Sequence, residues 1–171
     1  MEKNTKEYNT SILKKIEDEM LSIMTLLTKE KNENAKNKLE TLKLIKSELI
    51  RENGKLHTNV AYTMSNNEEI KLLSTMRKSH EEMISAYEHN SNDKAAETEK
   101  EELNVIMTYL PKEPTKEEII SFTKSIINTI IGEGKNVTVK DMGKILPKVK
   151  EKYPLADGKI IRDTVINYNN E

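Results

Sequence analysis

The stretch Tyr109-Leu110-Pro111-Lys112, with Pro114 and Thr115 close behind it, decides how this chain is divided. A proline has no backbone N–H to give a helix, and it pushes the residue before it towards extended geometry. Helical periodicity arriving from the N-terminal side therefore stops here. Thr115, three residues ahead of Glu118, reads as the N-cap of a new helix closed by a capping box. Further on, Lys140-Asp141-Met142-Gly143-Lys144 opens another short helix, with Thr138 and Asp141 as its cap. The expected organisation is an N-terminal helical domain over residues 1–112 and a small multihelical module over residues 113–171.

Working back from the break, apolar residues recur at helical spacing. Ile12, Leu13, Ile16, Met20, Ile23, Met24 and Leu27 form one stripe, with Ser11 or Thr10 as N-cap. Leu39, Leu42, Ile45, Leu49 and Ile50 form a second, and Asn53-Gly54 reads as its C-cap. Ser65 to Glu69 opens a third helix with a capping-box pattern, carrying Ile70, Leu73, Met76, Met83, Ile84 and Tyr87. A fourth runs from about Asp93 to Leu110 with Leu103, Ile106, Met107 and Leu110 on one side. Met1 to Thr10 reads as a frayed leader, and Lys55 to Met64 as a loop.

Forward from the break, Ile119, Phe122, Ile126 and Ile130 predict a core-facing stripe, with Ile127 and Ile131 beside it. Gly132-Glu133-Gly134 stops that helix. The next carries Met142, Ile145 and Val149, and Pro147 is expected to kink or divide it. Asp157-Gly158 then caps a last helix with Ile160, Ile161, Val165 and Ile166. The fold class is all-α: antiparallel helical hairpins followed by a small helical module.

Composition supports this reading and narrows function. Of 171 residues, 33% are charged and only 4% aromatic, with no Trp and a single Phe. That is thin material for a β-sandwich. The absence of cysteine excludes disulfides and thiolate metal sites. No apolar run approaches the roughly 20 residues of a membrane span, and the polar start shows no signal peptide. A cytoplasmic location is expected. Residues 1–110 hold 17 basic against 20 acidic residues, net −3, and residues 111–171 hold 11 against 9, net +2. The tail is the better candidate for a nucleic-acid face, with modest, salt-dependent affinity.

Catalytic motifs are missing. His57, His80 and His89 form no HExxH or His-x-x-x-His pair, so they read as surface histidines and no metal is expected. Glu81-Glu82, Glu101-Glu102 and Glu117-Glu118 are neighbours that point in different directions on a helix, unlike pairs three or four apart. No Walker loop follows Gly132-Glu133-Gly134-Lys135, and no nucleophile elbow surrounds a serine. Neither a cofactor nor an enzymatic activity is expected. The remaining candidates are cations. Lys140, Lys144 and Lys148 lie four apart, and Lys159 and Arg162 three apart on the next helix. Mobile cations on one surface suit phosphate contact, although spacing alone fits a plain solvated face as well. Tyr153 and Tyr168 are the nearby aromatics, too few for base stacking. Recognition of backbone and shape is expected, without sequence-specific DNA binding.

In order and spacing these fragments resemble the GatB/YqeY family. The lysine-rich opening is Leu13-Lys14-Lys15-Ile16-Glu17-Asp18-Glu19-Met20. The central basic pair and Ser before a Tyr are Arg77, Lys78, Ser79 and Tyr87. An acidic helix with Glu99, Glu102 and Leu103 ends at Tyr109 to Pro111, and the tail supplies Lys140 to Lys144 and Ala156-Asp157-Gly158. Departures are Lys43, where the family usually has Arg, and Asn92-Asp93-Lys94-Ala95, where it usually has Arg-x-Asp-Leu. The resemblance implies a non-catalytic protein whose tail is like the tRNA-holding tail of the GatB amidotransferase subunit. The partner so implied is tRNA or a tRNA-charging assembly, contacted through Lys140, Lys144, Lys148, Lys159 and Arg162. The alternative is a protein–protein adaptor that grips its partner with the N-terminal helices.

Overall fold

A computed structural model describes residues 11–56, 61–132 and 136–170, and those residues are all-α. Backbone proximity divides the chain into two compact units, Met1–Leu110 and Pro111–Glu171. Among the described residues no helix is long and apolar enough to cross a membrane. Met1 to Thr10, His57 and Glu133 to Lys135 lie outside the described residues.

The first unit contains α1 (Ile12–Leu27), α2 (Glu33–Leu56), α3 (Asn66–His89) and α4 (Asp93–Tyr109). α1 packs mainly on α2, and α3 mainly on α4. Each start is capped as its sequence dictates. Ser11 Oγ accepts from Lys14 N at 3.2 Å, Asn32 Oδ1 from Ala35 N at 3.0 Å, and Asn92 Oδ1 from Ala95 N at 3.3 Å. Ser65 and Glu68 form a reciprocal capping box. Between α3 and α4 the chain turns within Asn90 to Asn92, where Ser91 takes the left-handed φ of 54°.

The core of this unit is narrower than the apolar stripes suggest. Ile12, Leu13, Ile16 and Ile23 are buried on α1, and Leu39, Leu42, Ile45 and Leu49 on α2. Met24, Ile50 and Met107, expected on core faces, are exposed. Each adjoins a buried neighbour in sequence, and a step of one residue rotates a side chain by about 100° around the helix. Asn53 is not a C-cap either. α2 continues to Leu56, and the buried Asn53 side chain instead donates to Ala61 O at 3.2 Å and accepts from Thr63 N at 2.9 Å. It pins the segment that leads to α3.

The second unit contains α5 (Lys116–Ile130), a 3-10 turn (Val139–Asp141), α6 (Met142–Lys152) and α7 (Gly158–Asn167). α5 packs on both α6 and α7. Thr115 and Glu118 close the expected capping box, and Gly132 follows α5 with φ 102°, a geometry suited to glycine. The core is Ile119, Ile127, Val137, Ile145, Val149, Ile161 and Val165. Ile127 is fully buried, whereas Ile126 and Ile130 are only half-buried. The buried line on α5 is thus Ile119-Thr123-Ile127, four apart, and not the line through Phe122 and Ile126. Ile166 is exposed for the same reason. Pro147 does not divide α6, which runs unbroken to Lys152. The N–H it lacks would have reached only Gly143, in the first turn, so a single bond is lost.

Candidate functional site

The five tail cations all reach the surface. Lys140 lies in the 3-10 turn, Lys144 and Lys148 one turn apart on α6, and Lys159 and Arg162 on α7, every one exposed. Among the described residues, none of the five lies within ion-pair distance of a carboxylate. Lys144 acts on Asp141 only weakly, through its charge. The Asp141 carboxyl is held below its usual range first by the Thr138 backbone N–H at 2.9 Å and then by the Thr138 hydroxyl.

The structure gathers only some of these residues together. Lys159 lines a groove of about 600 Å³ between α5 and α7, and the same groove holds Lys116, Lys124 and Asp163. Arg162 is not among its lining residues. Lys116 and Lys124 were missed by sequence reasoning, yet the spacing Lys116, Ile120, Lys124 marks one face of a helix. Three lysines and one aspartate thus line the groove, two of the lysines on α5 and one beside Asp163 on α7.

The aromatics near the tail cations are engaged in the unit itself. Tyr153 meets the Phe122 ring edge-on, 5.4 Å between centroids, and Lys152 Nζ stands 4.2 Å over Phe122. The Tyr168 hydroxyl donates to Asn128 Oδ1. The Lys150 ammonium faces inward, donating to the carbonyls of Pro154 and Ala156, and so closes the turn between α6 and α7.

Polar groups in the first unit are joined across helices. The Tyr109 hydroxyl donates to Glu19, which also meets Lys38 Nζ at 2.5 Å. The tyrosine of the Tyr-Leu-Pro stretch therefore ties the end of α4 to α1. Glu69, with no exposed surface, accepts from Ile12 N at 2.8 Å, Leu13 N at 3.1 Å and the Tyr62 hydroxyl at 2.9 Å. It caps α1 from another helix, and nothing in the local sequence announces this. His80 is no ordinary surface histidine. Its side chain is 13% exposed, and Nδ1 lies 2.6 Å from Glu99 and 3.9 Å from Glu102. The signal available in sequence was the spacing of Glu99 and Glu102, three apart on one helix face.

A helical hairpin unit, a Tyr-Leu-Pro junction and a small helical tail together define an all-α class in which, among the described residues, no helix is long and apolar enough to cross a membrane. A family model described as Yqey-like protein matches residues 13–168, and the chain belongs to that family. Among curated proteins, none matches the chain.

Proposed function

We propose that this chain is a non-catalytic, RNA-associated protein whose C-terminal unit contacts the backbone of tRNA, alone or within a tRNA-charging or amidotransferase assembly. The observation that carries this reading is the set of exposed tail cations, Lys140, Lys144, Lys148, Lys159 and Arg162, which among the described residues lie outside ion-pair distance of any carboxylate. A lysine already paired with a carboxylate must give up that partner to meet a phosphate. One that faces water releases counterions from the RNA at no such cost. The likeness of the tail to the module with which GatB-type subunits hold tRNA supports the same partner. Because Tyr153 and Tyr168 are engaged in packing, contact is to phosphate and shape rather than to stacked bases.

The test is a tRNA titration at low salt with the full chain. Changing Lys140, Lys144 and Lys159 together to Glu should weaken binding by about tenfold or more, through lost phosphate contacts. Changing Lys14, Lys15 and Lys43 to Glu should have a far smaller effect. Equal binding by the parent and both variants would overturn the RNA reading. A protein-partner reading has its own support in Leu21, Met24 and Leu44, which are 62%, 51% and 55% exposed on α1 and α2. A complex that survives nuclease and is lost on changing Leu21 and Met24 to Ser would favour it.

A further inference from the structure

His80, Glu99 and Glu102 bring one imidazole and two carboxylates together where α3 packs on α4. Each offers a ligand atom, and these atoms lie within 4.8 Å of one another. The placement follows from the sequence. Glu99 and Glu102 share a face of α4 because they are three apart. The tight turn at Asn90 to Asn92 then lays α3 back along that face and sets His80 opposite. Exposure of the three side chains is 13%, 17% and 27%, so all are held among neighbours.

A simple ion pair explains His80 with Glu99, but it leaves Glu102. That carboxyl is 27% exposed, and its nearer oxygen lies 3.9 Å from the same His80 Nδ1. Two carboxylates pressed together at a half-buried place are stabilised by a shared positive charge. A divalent cation among the three groups would neutralise both carboxylates and use the imidazole nitrogen. Nitrogen with two oxygens suits an ion of the zinc type, whereas Mg²⁺ and Ca²⁺ prefer oxygen alone.

The geometry needs little change. In a tetrahedral shell with bonds of about 2.0–2.1 Å, ligand atoms stand about 3.3 Å apart. The Nδ1 to Glu99 separation opens from 2.6 Å and the Nδ1 to Glu102 separation closes from 3.9 Å towards that value. Both moves lie within reach of glutamate rotamers. Glu102 also lines a polar groove of about 570 Å³, shared with Asn37, Thr41 and Thr98. That groove gives an ion a route of approach and lets water fill the remaining coordination positions. We propose that His80, Glu99 and Glu102 bind one divalent transition-metal ion of the zinc type, with three protein ligands and water completing the shell.

The experiment is titration of the full chain with Zn²⁺ by calorimetry and with Co²⁺ by visible absorption. One equivalent of each should bind, with Co²⁺ giving the bands of a low-coordinate nitrogen and oxygen site, and Mg²⁺ should give no comparable signal. His80→Asn and Glu102→Gln should each weaken binding by at least about tenfold, as loss of a ligand costs no less than loss of a supporting group. His89→Gln should bind as the parent does. Should His80→Asn lose its helical circular dichroism, Glu102→Gln decides the matter, since it keeps the size and polarity of the side chain. Absence of binding at one equivalent, or unchanged affinity in Glu102→Gln, would overturn the proposal.

Discussion

The two units use their charges in opposite ways. In the N-terminal unit, many of the described cations are joined to carboxylates, three of them across helices, while others such as Lys15, Lys71 and Lys78 are not. Lys38 meets Glu19 at 2.5 Å, Lys46 meets Glu17 at 2.8 Å and Lys100 meets Glu88 at 2.8 Å, each pair joining two helices. Short-range pairs such as Lys14 with Asp18 and Lys43 with Glu40 occupy others. In the C-terminal unit the core is largely apolar, and the cations of α6 and α7 face water, except Lys150, which turns inward, and Lys152, which lies over the Phe122 ring. Net charges of −3 and +2 understate this contrast. A phosphate chain responds to cations that lack a partner, not to a sum over the chain.

If the first unit depends on internal polar ties, the largest effect should come from Glu69→Ala. The change strips acceptors from two backbone N–H groups and a tyrosine hydroxyl at a fully buried position. With about 1–3 kcal/mol for each donor left unsatisfied, a loss of about 3 kcal/mol or more is expected. Glu69→Gln, which still accepts on one side, should lose roughly half as much. Urea unfolding followed by circular dichroism measures both. A loss under about 0.5 kcal/mol, typical of surface sites, would remove the first half of the contrast.

The second unit should instead break through its apolar core. Ile127→Ala is expected to cost about 2–5 kcal/mol, the usual range for a fully buried isoleucine. Ile126→Ala should cost distinctly less, since Ile126 only flanks the core. Equal losses at the two positions would return the core face of α5 to the line through Phe122 and Ile126.

That pair of residues shows how far the sequence could be read. Helices, their caps and the proline break were legible, because N-cap chemistry and the 3.6-residue period act locally. Ser65, Thr115 and Thr138 do what their neighbours require of them. The choice between adjacent isoleucines was not legible, since both fit a broad stripe and only packing selects one. Nor were contacts across long separations, such as Glu69 with Ile12 or His80 with Glu99. Those depend on which helices meet, and a single sequence does not state that. The tail cations were found from spacing, but Lys116 and Lys124 entered only when α7 was seen to form a groove with α5.

A smaller effect should separate the units in RNA binding. Lys144→Gln should lower the slope of log affinity against log salt by somewhat under one unit, the mark of one lost phosphate contact. Lys46→Gln removes a cation already joined to Glu17 and should leave that slope unchanged. Its cost to stability should stay within about 1 kcal/mol, as for other exposed pairs. Identical salt slopes in the two variants would mean that pairing does not decide which lysines meet RNA.

The smallest effect lies at the end of α4 and depends on pH. Burial works against the charge of Glu19, but the Lys38 ammonium and the Tyr109 hydroxyl outweigh it and hold the carboxyl below its usual range. A depressed carboxyl stabilises the fold fully above its unfolded pKa, about 4.3, and that contribution is lost as pH falls through the lower folded value. Tyr109 is pushed up by burial first and by Glu19 next. Its neutral form is therefore the one the fold favours, so that contribution holds below about pH 10 and fades as pH rises beyond it. Tyr109→Phe should then be less stable than the parent near neutrality. The gap should narrow in acid as Glu19 is protonated, and again in alkali as the parent tyrosine ionises. Glu19 is one-third exposed, so solvent screening limits the gap to about 0.5–1 kcal/mol. Thermal unfolding of both chains from pH 3 to 10.5 measures it. A gap that does not change with pH would mean that the tyrosine stabilises α4 by packing alone, and that its hydroxyl is no part of the charge network of the N-terminal unit.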